Sequence, residues 1–127
     1  MIKLYLADDH ELFREGLKSL LERQKDIEVT GAASDGAQAV SEAVLLNPDV
    51  VLMDVTMPGM NGIVATEKIC QENSGISVII ISMHCDRRFI AEALKAGARG
   101  YVLKESSPDS MLEAIRTVYN GEVYLSP

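Results

Sequence analysis

The chain has 127 residues, with 19 acidic and 12 basic side chains and a formal net charge of −7. This length predicts one domain that can bury a substantial core without disulfides or a structural metal. The negative charge argues against direct binding to a nucleic-acid backbone, because such binding depends on clustered Lys and Arg. The two cysteines, Cys70 and Cys85, form no CxxC pair, which indicates reduced thiols. No signal peptide is recognised and no apolar run approaches the ~18 residues of a membrane helix, so we expect a cytoplasmic domain without a membrane partner.

Short apolar runs alternate with amphipathic stretches along the chain, as is typical of βαβ units. Apolar residues at helical spacing from Phe13 to Leu21 predict a first helix that runs to about Gln24, with Asp9 as its N-cap. The runs over 50–53 and 78–81 are apolar without alternation, which indicates burial on both faces of a parallel sheet. The other predicted elements are strands over 2–7, 27–33 and 100–103, helices over 36–46, 62–72 and 87–96, and a last helix that Ser107-Pro108-Asp109 opens.

Polar side chains end four of the five predicted strands. Asp8-Asp9 follows the first strand, Asp54 the third, Ser82 the fourth and Lys104 the fifth. Because the carboxyl ends of parallel strands share one edge of the sheet, we expect these side chains to lie together. Two carboxylates about 4 Å apart repel by roughly 4 kcal/mol at an effective dielectric of about 20, so the cluster requires a cation or raised pKa values. A hard divalent ion with oxygen ligands meets this requirement, and we expect Mg²⁺.

Four motifs at these strand ends resemble the receiver domain of two-component response regulators, and the resemblance covers essentially the whole chain. The motifs are Ala7-Asp8-Asp9-His10, the segment Met53-Asp54-Val55-Thr56-Met57-Pro58-Gly59-Met60-Asn61-Gly62, Ile81-Ser82-Met83-His84, and Gly97-Ala98-Arg99-Gly100-Tyr101-Val102-Leu103-Lys104. Any one of them is weak evidence, whereas their order and spacing together are specific. The resemblance implies an α/β fold, the flavodoxin-like (βα)5 doubly wound parallel sheet with strand order 2-1-3-4-5.

The resemblance also implies a phosphoacceptor. Asp54 would accept a phosphoryl group from a phosphohistidine on a sensor histidine kinase, forming an acyl phosphate. Mg²⁺ would be coordinated by Asp9, Asp54 and the main-chain carbonyl of Thr56, and by Asp8 through water. The protein would promote its own phosphorylation and dephosphorylation, and it would not be a turnover enzyme for an external substrate.

The remaining site residues are expected to sense the phosphoryl group. Lys104 would place a positive charge on one phosphoryl oxygen, and the Ser82 hydroxyl would donate a hydrogen bond to another. Tyr101 matches the aromatic that changes position in this family as the residue matching Ser82 moves. The signal would then shift the surface of the fourth helix, fifth strand and fifth helix and alter homodimerisation or docking to an attached DNA-binding domain. A homodimer would form through that surface or through the first and fifth helices.

The sequence after Lys104 looks like the NarL/FixJ (LuxR-type) subfamily. Glu105 stands where many relatives have a Pro, and in those relatives the Lys–Pro peptide bond is usually cis. A cis bond before a residue other than Pro costs about 2.5–4 kcal/mol, so the sequence leaves the configuration of Lys104–Glu105 open. The subfamily implies a receiver domain over 1–120, the start of a linker over 121–127, and a helix-turn-helix domain beyond it. DNA would be bound only through that further domain, in transcription regulation; the alternative is a stand-alone receiver.

Three other interpretations compete with phosphate reception. Phosphatases of the haloacid dehalogenase type also use a strand-end Asp, Mg²⁺ and a Lys, but they need a second acid where this chain has Thr56. A flavodoxin-like cofactor module would need a Gly-rich phosphate loop and stacking aromatics, and the chain has two Phe, four Tyr and no Trp. A receiver that docks partners without phosphorylation is the more serious rival. With only two histidines, His10 and His84 are interpreted as loop residues and not as ligands of a zinc site.

Overall fold

The computed structural model describes residues 1–83 and 86–126, which form a parallel sheet with helices on both faces. His84 and Cys85 lie outside the described residues. The sheet order is β2-β1-β3-β4-β5-β6, which confirms the predicted order of five strands and adds a sixth. In chain order the elements are β1 (Ile2–Ala7), α1 (Glu11–Glu22), β2 (Ile27–Ala33), α2 (Gly36–Leu46), β3 (Val50–Asp54), α3 (Gly62–Glu72), β4 (Ser77–Ser82), α4 (Arg87–Ala96), β5 (Gly100–Leu103), α5 (Pro108–Tyr119) and β6 (Tyr124–Leu125).

Two hydrophobic cores lie on the two faces of the sheet. Alternate strand residues such as Leu52 pack with α1 and α5 on one face. The intervening residues, such as Met53, pack with α2, α3 and α4 on the other. All of β3 is buried, and so is β4 beyond its first residue, which confirms the prediction from their unbroken apolar runs. The register of the parallel ladders fixes the position of each strand end relative to its neighbours.

The beginning of α1 differs from the prediction. The N-cap is His10, without a side-chain capping bond, so the assignment of Asp9 as N-cap is wrong. Asp8, two residues before this cap, accepts a hydrogen bond from the His10 backbone N–H at 2.8 Å, so a short turn over residues 8–10 precedes the helix. The helix ends at Glu22, two residues before the predicted end at Gln24. At the start of α5, by contrast, Ser107 caps the helix ahead of a Pro as predicted.

The segment after α5 returns to the sheet. The backbone N–H groups of Tyr124 and Ser126 donate to the carbonyls of Arg99 and Tyr101 at 3.0 and 2.9 Å, which makes β6 a short edge strand beside β5. The Lys104–Glu105 peptide bond is trans. Among the described residues, none of the helices has the length and apolar content needed to cross a bilayer.

Candidate functional site

The carboxyl edge of the sheet gathers the acidic residues that the sequence singles out. Parallel pairing sets Ala7 level with Met53, so Asp8 and Asp54 end neighbouring strands side by side. One ligand atom each from Asp8, Asp9, His10 and Asp54 lie within 4.8 Å of one another. Asp8 and Asp54 are almost completely buried, so their charges interact in a medium of reduced dielectric.

Lys104 is the cation that partly balances this cluster. Its Nζ lies 3.0 Å from Asp8 Oδ2 and 3.4 Å from Asp54 Oδ2, and its side chain is only 6% exposed. The position follows from the sheet, since β5 ends beside β4 and the Lys104 backbone N–H donates to the Ser82 carbonyl at 2.9 Å. One ammonium against Asp8, Asp9 and Asp54 leaves an excess of negative charge.

That excess perturbs the Asp54 carboxyl. Burial, followed by the charge of Asp8, raises the pKa of Asp54 to about 6. The ammonium of Lys104 and a hydrogen bond from the backbone of Thr56 act in the opposite direction. At neutral pH the Asp54 carboxyl is therefore largely ionised, although burial and the Asp8 charge disfavour that form. A bound cation would offset this unfavourable energy, and perturbed carboxyls of this kind are common at functional sites.

Asp8 supplies direct evidence that the site fits a cation. Its Oδ1 accepts from the His10 backbone N–H, and its carbonyl accepts from the Arg14 guanidinium at 2.7 Å. Its Oδ2 is buried and has no hydrogen bond within the described residues, although it faces the Lys104 ammonium as an ion pair. A buried carboxylate oxygen with spare lone pairs, beside the carboxylates of Asp9 and Asp54, matches the donor set of a hard divalent ion.

The loop after β3 holds Asp54 in place through a close backbone approach. The Gly62 N–H donates to the Val55 carbonyl at 2.8 Å, and a Cβ on Gly62 would lie 2.0 Å from the Asp54 carbonyl oxygen. Asn61 caps α3 by accepting from the Val64 N–H at 2.9 Å. The turn residues that the sequence shows here therefore fix the path of the chain next to the carboxylate, with the exposed Thr56 in the same loop.

The structure places the two expected switch residues on adjacent strands. Ser82 ends β4, is buried, and pairs in register with Leu103 of β5. Tyr101 lies earlier on β5, is 1% exposed, and belongs to the core under α2, α3 and α4. Ser82 is therefore at the carboxyl edge of the sheet, whereas Tyr101 is buried on β5 opposite Ile80 of β4.

Two residues of α1 and its cap belong to the site although the sequence interpretation missed them. His10 Nδ1 lies 2.8 Å from Lys104 Nζ, 3.2 Å from Asp8 Oδ1 and 3.5 Å from an Asp9 carboxylate oxygen. The ring of Phe13 lies against the same ammonium, 4.9 Å from Nζ to the ring centroid. The signal for His10 is its place directly after the acidic pair. Phe13 carried only a core signal, since it follows the apolar spacing of the helix.

Comparison with known proteins assigns the family. The model of the response regulator receiver domain matches residues 4–116. Transcriptional regulatory protein LiaR of Bacillus subtilis is 47% identical over 122 residues, and transcriptional regulatory protein DegU of Brevibacillus brevis is 40% identical over 126. These alignments cover 96% and 99% of this chain but only 58% and 53% of those relatives, so the chain spans little more than half their length.

Solved structures agree with this assignment. A two-component response regulator of the LuxR family from Aurantimonas sp. SI85-9A1 superposes with a TM-score of 0.96 at 37% identity, covering 100% of this chain and 91% of that one. The signal receiver domain of the putative response regulator NarL from Mycobacterium tuberculosis gives 0.91 at 33% identity, covering 95% and 98%. The chain therefore belongs to the response regulator receiver domains, in the group of LuxR/NarL-type regulators.

Proposed function

We propose that this chain receives a phosphoryl group on Asp54 from a sensor histidine kinase. The observation that carries the proposal is the buried Asp54 carboxylate, flanked by Asp8 and with the Lys104 ammonium 3.4 Å away. A carboxylate oxygen of Asp54 would attack phosphorus while the phosphorus–nitrogen bond of the phosphohistidine breaks, and the imidazole takes up a proton as it leaves. Such a transfer needs positioning and charge stabilisation more than covalent assistance.

Mg²⁺ is the proposed cofactor. Asp9, Asp54 and the main-chain carbonyl of Thr56 would hold it directly, and Asp8 through water. Asp8 Oδ2 is buried and, within the described residues, has no partner beyond its ion pair with Lys104; this and the closeness of the acidic oxygens support the assignment. Once bound, the ion would offset the repulsion between the carboxylates and organise the phosphoryl oxygens.

The chain's own residues would hold and sense the transferred group. Lys104 reaches Asp54 and would supply a point charge to one phosphoryl oxygen, and the Ser82 hydroxyl would donate to another. A phosphoryl group adds about −1.5 to −2 charges and three acceptor oxygens, so Ser82 would be drawn toward it. Tyr101, two residues before the end of β5, would then change its packing and carry the signal to α4, β5 and α5.

The output is proposed to be transcription regulation. The curated relatives are transcriptional regulatory proteins, and this chain matches about half their length. We infer that residues 1–120 form the receiver domain in the cytoplasm, and that 121–127, including β6, begin a linker to a helix-turn-helix domain that binds DNA. Homodimers would form through α4, β5 and α5, which expose Leu94 and Tyr119, or through α1 and α5, where a groove of about 350 Å³ is lined by Leu20 and Met111.

Phosphotransfer from an autophosphorylated kinase tests the proposal. Label should pass from a member of a panel of sensor histidine kinases to the wild type in the presence of Mg²⁺, and Asp54→Asn should abolish it. Asp49→Asn is the matched control, because Asp49 lies just before the amino end of the same strand and accepts from the Lys3 N–H. Transfer of label to Asp54→Asn would refute the assignment of Asp54 as the phosphoacceptor. An unlabelled wild type that still binds Mg²⁺ would favour a docking module that works without phosphate.

A further inference from the structure

Phe13 covers the ammonium of Lys104. The Nζ atom lies over the ring at 4.9 Å from its centroid, inside the ~6 Å range of cation–π attraction. Phe13 is half-buried and packs against the core under α1 and α5, while the Lys104 side chain is 6% exposed. The attraction therefore operates where water is largely excluded, which is the setting in which it is strongest.

The two carboxylate partners of this ammonium differ from the ring in one respect, while His10 Nδ1, 2.8 Å from Nζ, is a third partner on a side chain that is 61% exposed. Asp8 and Asp54 attract Lys104 through net negative charge, and that charge is the part of the site that a divalent cation would offset. A phenyl ring has no net charge, and its attraction comes from the quadrupole of its π-system. Binding of a cation to the carboxylates weakens their attraction for Lys104 but leaves the ring's attraction in place.

We propose that Phe13 is a positioning residue for Lys104, with its ring face holding the ammonium beside Asp54 when the carboxylates are engaged by a cation. This inference rests on the proposed phosphoacceptor function of Asp54. A lysine ammonium is a point charge on a flexible four-carbon stem, so without the ring it would sample orientations away from the site. Holding it in place lowers the orientational cost of the transition state.

Three variants separate this role from simple packing. Phe13→Leu keeps an apolar side chain in the core but removes the π-face. Phe13→Tyr keeps the ring and should behave like the wild type. Leu12→Ala is the matched control, because Leu12 lies in the same turn of α1 and is 89% exposed.

The first readout is the NMR signal of the Lys104 side chain, assigned by its loss in Lys104→Met. Protons above an aromatic ring are shifted upfield, so the ε-methylene signal of Lys104 should lie upfield of the other lysines. That shift should persist when Mg²⁺ is added, remain in Phe13→Tyr and disappear in Phe13→Leu. A purely structural role for Phe13 would lower the melting temperature of Phe13→Leu without any such signature in the wild type.

The second readout is the rate of phosphorylation by acetyl phosphate in saturating Mg²⁺. Phe13→Leu should be slower by about 5- to 30-fold, in line with the strength of a desolvated cation–π contact. Leu12→Ala and Phe13→Tyr should stay within about twofold of the wild type. In a Lys104→Met background the same Phe13→Leu change should have almost no further effect, since the partner of the ring is gone.

The outcomes distinguish this inference from the function on which it rests. Equal rates for the wild type and Phe13→Leu, or no upfield Lys104 signal in the wild type, would overturn the positioning role while leaving Asp54 as acceptor. Absence of phosphorylation in the wild type and all variants, by acetyl phosphate and by the panel of sensor histidine kinases alike, would instead refute the proposed function, and with it this inference. A slow Phe13→Leu, rescued by Phe13→Tyr and dependent on Lys104, would establish the positioning role.

Discussion

Replacing Asp54 by Asn should stabilise the metal-free protein at neutral pH. The pKa of the carboxyl is raised from its ordinary value of 3.8 to about 6 in the folded chain, chiefly by burial and then by Asp8. The folded state therefore disfavours the ionised form of the Asp54 carboxyl relative to the unfolded state. The asparagine side chain resembles the neutral carboxyl in shape and can still accept a hydrogen bond from Lys104, so the substitution removes the cost and keeps the contact.

The magnitude and its pH dependence follow from linkage. Because the folded pKa of this acid is raised, its destabilising effect is absent below the unfolded pKa, grows between pH 3.8 and about 6, and is complete above that. The shift corresponds to about 3 kcal/mol at pH 7.5 and to about 1 kcal/mol at pH 4.5. We expect Asp54→Asn to exceed the wild type in free energy of unfolding by up to about 3 kcal/mol at the higher pH.

Urea denaturation in the presence of EDTA at pH 4.5 and 7.5 measures both values. Asp49→Asn serves as the control, since it removes a charge before the opposite end of the same strand. Added Mg²⁺ at 1,000 times its dissociation constant should reverse the order at pH 7.5, because ligand at that concentration stabilises the wild type by about 4.1 kcal/mol. Equal stability of wild type and Asp54→Asn at pH 7.5, or a difference that is the same at pH 4.5, would refute this electrostatic account.

Two further substitutions test how the backbone supports the site. Gly62→Ala would place a Cβ 2.0 Å from the Asp54 carbonyl oxygen, so we expect it to lower the free energy of unfolding by ~2–3 kcal/mol. Gly16→Ala, in an open position on α1, should raise the free energy of unfolding by about 0.5–1 kcal/mol. Unchanged stability of Gly62→Ala in urea denaturation would contradict the close approach. Ser107→Ala removes the cap that accepts from the Ser110 N–H at 3.1 Å, so it should lower the free energy of unfolding by about 1 kcal/mol in the same assay. Unchanged stability would mean that the Pro at the first position of α5 defines the start of the helix without the cap.

The sequence was a good guide wherever burial dictated residue type. The apolar runs of β3 and β4 predicted central strands, and their ends placed Asp54 and Ser82 at one edge because a parallel sheet aligns its carboxyl ends. Strand β6 was missed because a two-residue strand has no periodicity to detect. It exists because the chain leaving α5 passes the open edge of β5, which is a property of the assembled sheet.

The details of the site were less accessible. The N-cap of α1 is His10 because a local turn, in which the Asp8 carboxylate accepts from the His10 N–H, precedes the helix, and the N-cap propensity that favoured Asp9 does not register this turn. The contact of Phe13 with Lys104 joins residues 91 positions apart, and Phe13 fits the apolar spacing of a helix whether or not a lysine lies above it. Residue pairs of this kind depend on the relative placement of α1 and β5.

Intact-mass spectrometry after incubation with Mg²⁺ and acetyl phosphate, comparing the wild type with Asp54→Asn, tests most directly whether Asp54 is a metal-dependent phosphoacceptor. We expect a single phosphoryl adduct on the wild type, no adduct on the variant, and no adduct on either when EDTA replaces Mg²⁺. An adduct of equal yield on Asp54→Asn, or one that forms without a divalent cation, would contradict the assignment of Asp54 as the acceptor at a metal-dependent site.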